Sequence, residues 1–145
     1  MFRSRVAVPL VLCVACGAPA EPPPPPPPPP TYADFAGEWD AVSTMAGVAD
    51  PVRSRLASTP AGGGWTITFE GRPPVPMRVS MAGDSLVLIS EPYESVLRAK
   101  VTVQLRAAGV LVDGSITGKI IATYDTPDGQ EVLMGTISAT RAGPE

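Results

Sequence analysis

The chain of 145 residues contains no histidine, and its two cysteines, Cys13 and Cys16, both fall within the first sixteen positions. Histidine is the commonest general base near neutral pH and the commonest transition-metal ligand, so its absence removes most acid–base and metal-centred mechanisms. The rest of the chain has no thiol to act as a nucleophile or to form a disulfide. Long apolar runs are missing too. The longest, Val6 to Ala15, is far short of the ~20 residues that a helix needs to cross a bilayer. Basic residues are few and scattered. Removing Arg3 and Arg5 with a cleaved leader leaves nine of the 11 Lys and Arg against 14 Asp and Glu, a net charge of about −5. Nucleic acid is therefore excluded as a partner, because binding it requires clustered cations. No catalytic residue, cofactor or metal is expected.

What is present begins with an export pattern. Two arginines in Met1 to Arg5 precede the apolar run, in the order of a signal peptide. The run ends in Cys13, Val14, Ala15, Cys16, which resembles the lipobox of bacterial lipoproteins. That family usually has leucine where Cys13 stands. The resemblance implies a signal peptide over residues 1–15, acylation (palmitate) of Cys16, and membrane attachment through that lipid. Gly17 follows in place of the aspartate that retains some lipoproteins at the inner membrane, so the implied location is the outer membrane or periplasmic face of the cell envelope. The alternative is an ordinary secretory signal cleaved after Ala18 or Ala20. Nine prolines, Pro22 to Pro30, come next. With φ fixed and no backbone donors they adopt polyproline II, a stiff spacer of ~28 Å at ~3.1 Å per residue. Residues 16–30 thus form a lipidated linker, and residues 31–145 form one folded domain.

From Gly37 onward apolar and polar residues alternate, the mark of half-buried strands, and no helical period lasts three turns. The domain is read as all-β, with eight strands. They are Gly37 to Thr44, Val52 to Ser58, Trp65 to Phe69, Val75 to Met81, Ser85 to Ser90, Lys100 to Arg106, Ser115 to Tyr124 and Gln130 to Thr140. Val110 to Val112 is assigned to a neighbouring ladder. Short turns at Gly62 to Gly64, Gly83 and Asp84, Asp113 and Gly114, and Pro127 to Gly129 make sequential strands antiparallel neighbours, hence a meander. A meander of this size closes into a small barrel or leaves two edges exposed, and closure is favoured. An open β-sandwich is the rival. Pro73, Pro74 and Pro76 imply a free or bulged start to the fourth strand.

The domain's ends, Phe35-Ala36-Gly37-Glu38-Trp39 and Ala139-Thr140-Arg141, resemble those of the calycin group of lipocalins, fatty-acid-binding proteins and avidins. The resemblance implies that Trp39 plugs one end of the barrel and that Arg141 packs across its ring, a structural pairing. Gly63-Gly64-Trp65 repeats the Gly-x-Trp pattern, but position and the late arginine agree with the first copy.

Other motifs carry less. Gly83-Asp84-Ser85-Leu86 spells the nucleophile block of GDSL-type ester hydrolases, which fails without a histidine base and reads as a hairpin turn. Asp125, Asp128, Gly129 and Glu131 hint at a calcium loop, yet they do not meet EF-hand spacing and also read as a turn. Glu91 and Glu94 stand too close in one loop for a glycosidase pair across a cleft. In that loop Tyr93 and Arg98 are candidates for a ligand rim. Met45 to Ala61 is a second long connection, a lid in lipocalin-like barrels or a simple cover over the core. Met77, Met81 and Met134, with Val79 and Ile120, are assigned to the inward face. The leading expectation is a non-enzymatic envelope lipoprotein whose barrel binds a small apolar ligand or lipid. The alternative is a filled barrel or sandwich acting as a protein-interaction or structural module.

Overall fold

The computed structural model describes residues 21–59 and 63–143. Cys13, Cys16 and the rest of the export segment lie outside the described residues, as does Gly62 of the turn before Trp65. Residues 21–30 carry no helix or strand, and all but the half-buried Pro30 are exposed.

A single helical turn, α1 (Tyr32–Phe35), opens the domain. Thr31 starts it by donating from its backbone nitrogen and its hydroxyl to the Asp34 carboxylate, at 2.6 and 2.8 Å. This reciprocal cap between the first residue and the third helical one is a recognised start signal. Nine strands follow: β1 (Gly37–Met45), β2 (Val52–Ser58), β3 (Trp65–Thr68), β4 (Val75–Ala82), β5 (Ser85–Ser90), β6 (Tyr93–Glu94), β7 (Thr102–Val112), β8 (Ser115–Thr126) and β9 (Gly129–Arg141). All pairings are antiparallel. The ladder runs from β5 through β4, β3, β2, β1, β9 and β8 to β7, and β5 pairs back onto β7. The result is a closed eight-stranded antiparallel barrel with β6 as one extra strand, so the sandwich alternative is set aside.

Two assignments need correction. Val110 to Val112 belongs to no neighbouring ladder; it continues β7, which pairs with β8 from Thr102↔Asp125 to Val112↔Ser115. Met134 does not face inward. Along β9 the inward series is Leu133, Gly135, Ile137 and Ala139, which sends Val132 and Met134 outside, 55% and 66% exposed. A period of two leaves no compromise: once Gly135 faces the core, its neighbours face solvent. Of the other residues assigned inward, Met77 and Ile120 are buried, while Val79 and Met81 are half-buried.

Gly135 is required where it stands. It lies opposite Met45, and an added Cβ would collide with the Thr44 carbonyl and come within 2.9 Å of the Met45 sulfur. Gly118, opposite Gly109, is equally constrained by the Ala108 carbonyl and the Gly109 Cα at 2.6 Å. At both points the wall is too tight for a side chain.

The wall is uneven. The β7–β8 and β8–β9 ladders run nearly the full length of their strands, whereas β2 meets β3 only from Arg55 to Ala57, and β3 meets β4 only from Trp65 to Ile67. Pro76 sits in that short ladder opposite Thr66, its exposed side chain pointing outward. Between β5 and β6 the pairing with β7 slips by one residue: Ile89 faces Arg106, but Tyr93 faces Val103. That extra residue makes a bulge over Ser90 to Pro92. Ser90 repairs it, its buried hydroxyl accepting from Leu105 N at 2.9 Å while its carbonyl accepts from Gln104 Nε2 at 3.0 Å.

Gly118→Ala is expected to destabilise the domain by about 1–3 kcal/mol, the usual cost of overpacking against atoms that cannot yield. Gly63→Ala, at a site with nothing within 4 Å of the new Cβ, should be close to neutral. Urea unfolding of both variants checks the pair. Equal midpoints would mean that the close approach at Gly118 is not tight.

Candidate ligand site at the mouth of the barrel

The barrel's two ends are built differently. At one end the starts of β1 and β3 meet the finish of β9. Trp39, fully buried, donates from Nε1 to the Phe35 carbonyl at 2.8 Å, tying α1 across the opening. Arg141 lies over the Trp39 ring, its guanidinium carbon 4.1 Å from the ring centre. The same guanidinium donates to the carbonyls of Ala36 and of Asp34, the latter at 2.8 Å. Cation–π attraction and two backbone bonds thus hold the helical turn as a stopper. The proline segment enters the domain at this end, through Thr31.

The opposite end, farthest along the strands from the stopper, is the mouth. It is roofed by residues 91–101, which return from β5 to β7. Ser95 folds this strap: its buried hydroxyl accepts from Leu97 N at 3.0 Å and Arg98 N at 3.1 Å, and its backbone N donates to Val101 O at 2.8 Å. Lys100 adopts a left-handed conformation, φ 62°, and its N donates to the Glu94 carboxylate at 3.0 Å. Glu94 therefore serves as a backbone acceptor.

Three further contacts fasten the strap. Arg72 donates to the carbonyls of Glu94 at 2.7 Å and Ser95 at 3.4 Å. The Tyr93 ring stacks on Phe69 with centroids 5.4 Å apart. Arg98 grips the Glu131 carboxylate with both terminal nitrogens, at 2.6 and 2.8 Å, and lies 4.6 Å above the centre of the Tyr124 ring. The two rim candidates thus share one end of the barrel, 5 residues apart on the strap. Burial, with Tyr124 close by, pushes the Tyr93 phenol well above its ordinary value, so it stays neutral through the physiological range. The hydrogen bonds from Arg98 hold the Glu131 carboxyl below its ordinary 4.5.

Beneath the strap is a cavity of about 30 Å³ that opens to solvent. Its walls are mainly apolar, with Met45, Val52, Phe69, Val96, Leu105 and Ile120 among them. Ser43, Tyr93 and Tyr124 also line it. Sequence reasoning missed Ser43, Phe69, Tyr124 and Glu131. Alternation alone could have found two of them, because Ser43 continues the inward series Trp39, Ala41 and Tyr124 continues Ile120, Ala122.

The remaining motifs are turns. Gly83 to Ser85 joins β4 to β5. Asp125 accepts from Gln130 Nε2 at 3.1 Å across the β8–β9 hairpin. Among the described residues no group of three or more His, Cys, Asp or Glu could hold a metal ion.

The Arg98–Glu131 pair gives the strap a pH signature. Its carboxylate has a lowered folded-state value, so its contribution is complete above pH about 4.5 and is lost as pH falls through that lowered value. Hydrogen exchange at the amides of Leu97 and Arg98, corrected for intrinsic rate, should accelerate below that point. Glu131→Gln should show the faster exchange already at pH 7. Unchanged protection at pH 7 would mean that the ion pair does not fasten the strap.

No protein-family model, curated protein or solved structure matches the chain.

Proposed function

We propose that the chain is a non-enzymatic lipoprotein of the bacterial cell envelope, anchored through acylated Cys16, that receives a small apolar ligand at the mouth of its barrel. The observation that carries this reading is the cavity under the strap. An apolar hollow with a few hydroxyls, at the end of a closed barrel, is the form that small-molecule sites take. Its depth limits the ligand. The cavity holds about 30 Å³, room for two or so waters and well below the size of ordinary ligand pockets. A ligand larger than that enters only if the strap shifts, and a long acyl chain is the least suited.

The anchor reading rests on the lipobox-like residues Cys13 to Cys16 and the proline spacer behind them. Because the spacer joins the stoppered end, a domain so anchored carries its mouth away from the lipid. The second reading is a filled barrel acting as an interaction module of the envelope. The small enclosed volume and the exposed Val132 and Met134 favour it.

Two experiments test the proposal. Cys16→Ser should abolish palmitate labelling and release the chain from the membrane fraction. Labelling that persists would rule out Cys16 as the anchor. Among the described residues the buried core runs from Phe35 to Ala139, so residues 31–145 are the unit to purify alone. Native mass spectrometry of that domain from a bacterial periplasm should show a bound mass that denaturation removes. A clean apo mass that ignores added small apolar compounds would leave the interaction module.

A further inference from the structure

Among the described residues the large apolar side chains left exposed are Leu97, Val112, Val132 and Met134, and all four stand on β7, on β9 or on the strap. Register extends this pattern across the wall. Arg106, Ile121 and Met134 lie opposite one another on β7, β8 and β9, about 5 Å apart at each step. One row nearer the stopper, Ala108, Lys119 and Thr136 do the same. Because Met134 points outward, both rows do. Arg106 and Lys119 are exposed, and Ile121 between them is half-buried.

The charge at the centre of this face has one sign. Along the outward positions of β7, β8 and β9 the single carboxylate is Asp125, two rows toward the mouth, where it accepts from Gln130. The ion pairs among the described residues lie elsewhere, Arg55 with Glu38 and Asp40 on β1 and β2, and Arg98 with Glu131 at the mouth. Neither Arg106 nor Lys119 takes part in one. Shape and charge together select an occupant. The outside of a closed barrel is convex, so a peptide has no groove to lie in. A second copy brought face to face sets like cations against each other. An anionic bilayer surface meets both halves of the face: lipid phosphates answer Arg106 and Lys119, while Ile121, Val132 and Met134 enter the headgroup boundary.

We infer that the outer wall over β7, β8 and β9 rests on an anionic phospholipid surface and lays the barrel on its side there. The inference builds on the anchor reading above, because a tether at Cys16 concentrates the domain at the lipid and lets a weak face hold. The spacer of ~28 Å leaves room for the domain to roll onto this wall. The mouth then opens along the membrane, at the end farthest from the anchor. Alone the face does not replace the acyl chain, since each of its two cations contributes only about fivefold at an anionic surface.

Co-sedimentation of unacylated residues 31–145 with sucrose-loaded vesicles tests this without involving Cys16. At low salt, vesicles of equal phosphatidylglycerol and phosphatidylcholine should bind the domain about 25-fold more tightly than phosphatidylcholine alone, two cations at about fivefold each. High salt should remove the preference. So should Arg106→Gln combined with Lys119→Gln, whereas Arg53→Gln on the opposite wall should leave it intact. Met134→Gln should weaken binding to both kinds of vesicle. All four positions are exposed, and matching urea midpoints keep the comparison between folded domains. A preference that survives the Arg106, Lys119 double variant, or that Arg53→Gln removes, would overturn the assignment of the face. No preference in the unaltered domain would overturn the inference, and a doubling of its mass at the same concentration would then give the face to a second copy. Either failure leaves palmitate labelling of Cys16, and the anchor reading with it, untouched.

Discussion

The sheet closes because β1 can pair with β2 on one side and β9 on the other, and every other feature depends on that pairing. Without it, β1 and β9 would each present a row of unmatched backbone groups. With it, eight strands enclose an interior just wide enough for side chains to fill, and the molecule is left with only two places to differ from a solid plug: its ends. One end is stoppered by α1, Trp39 and Arg141. The other is covered by the strap, whose fastenings are polar and lie at the surface.

The strands were legible in the sequence because alternation is a local property. Trp65, Ile67 and Phe69, or Val101, Val103 and Leu105, each announce an inward face. Closure was legible as a consequence of the edge problem. The bulge at Ser90 to Pro92 was not, because it depends on how β5 and β7 register across space and on the Ser90 hydroxyl replacing a lost ladder bond. Met134 was misread because an apolar side chain on an outer wall looks like a core residue until its neighbours fix the phase. Gly135, held against Thr44 and Met45, fixes it. The end of β7 was misread because Ala107, Ala108 and Gly109 break the strong alternation, although small residues there let β8 approach closely. The capping pair Thr31 and Asp34 was readable and was passed over.

The mouth was half legible. Tyr93 and Arg98 stood out because aromatic and charged residues in a loop between strands have no core to explain them. Their partners did not stand out. Glu131 lies 33 residues beyond Arg98 and resembled part of a turn; only the β8–β9 hairpin brings it under the strap. Ser43 and Tyr124 belong to strands whose alternation marks them as inward. Sequence alone could not show that they would find a hollow there, because a hollow is what packing leaves unfilled.

Joining β1 to β9 also sets the order of events in time. The two strands are separated by most of the domain, so the ring cannot close until β9 is available, and bringing such distant segments together is slow. A chain that ends before β9 is not a smaller barrel but an open sheet, with β1 and β8 bare along their lengths. For as long as β9 is withheld the sheet stays open, and its most vulnerable moment comes just before that strand arrives.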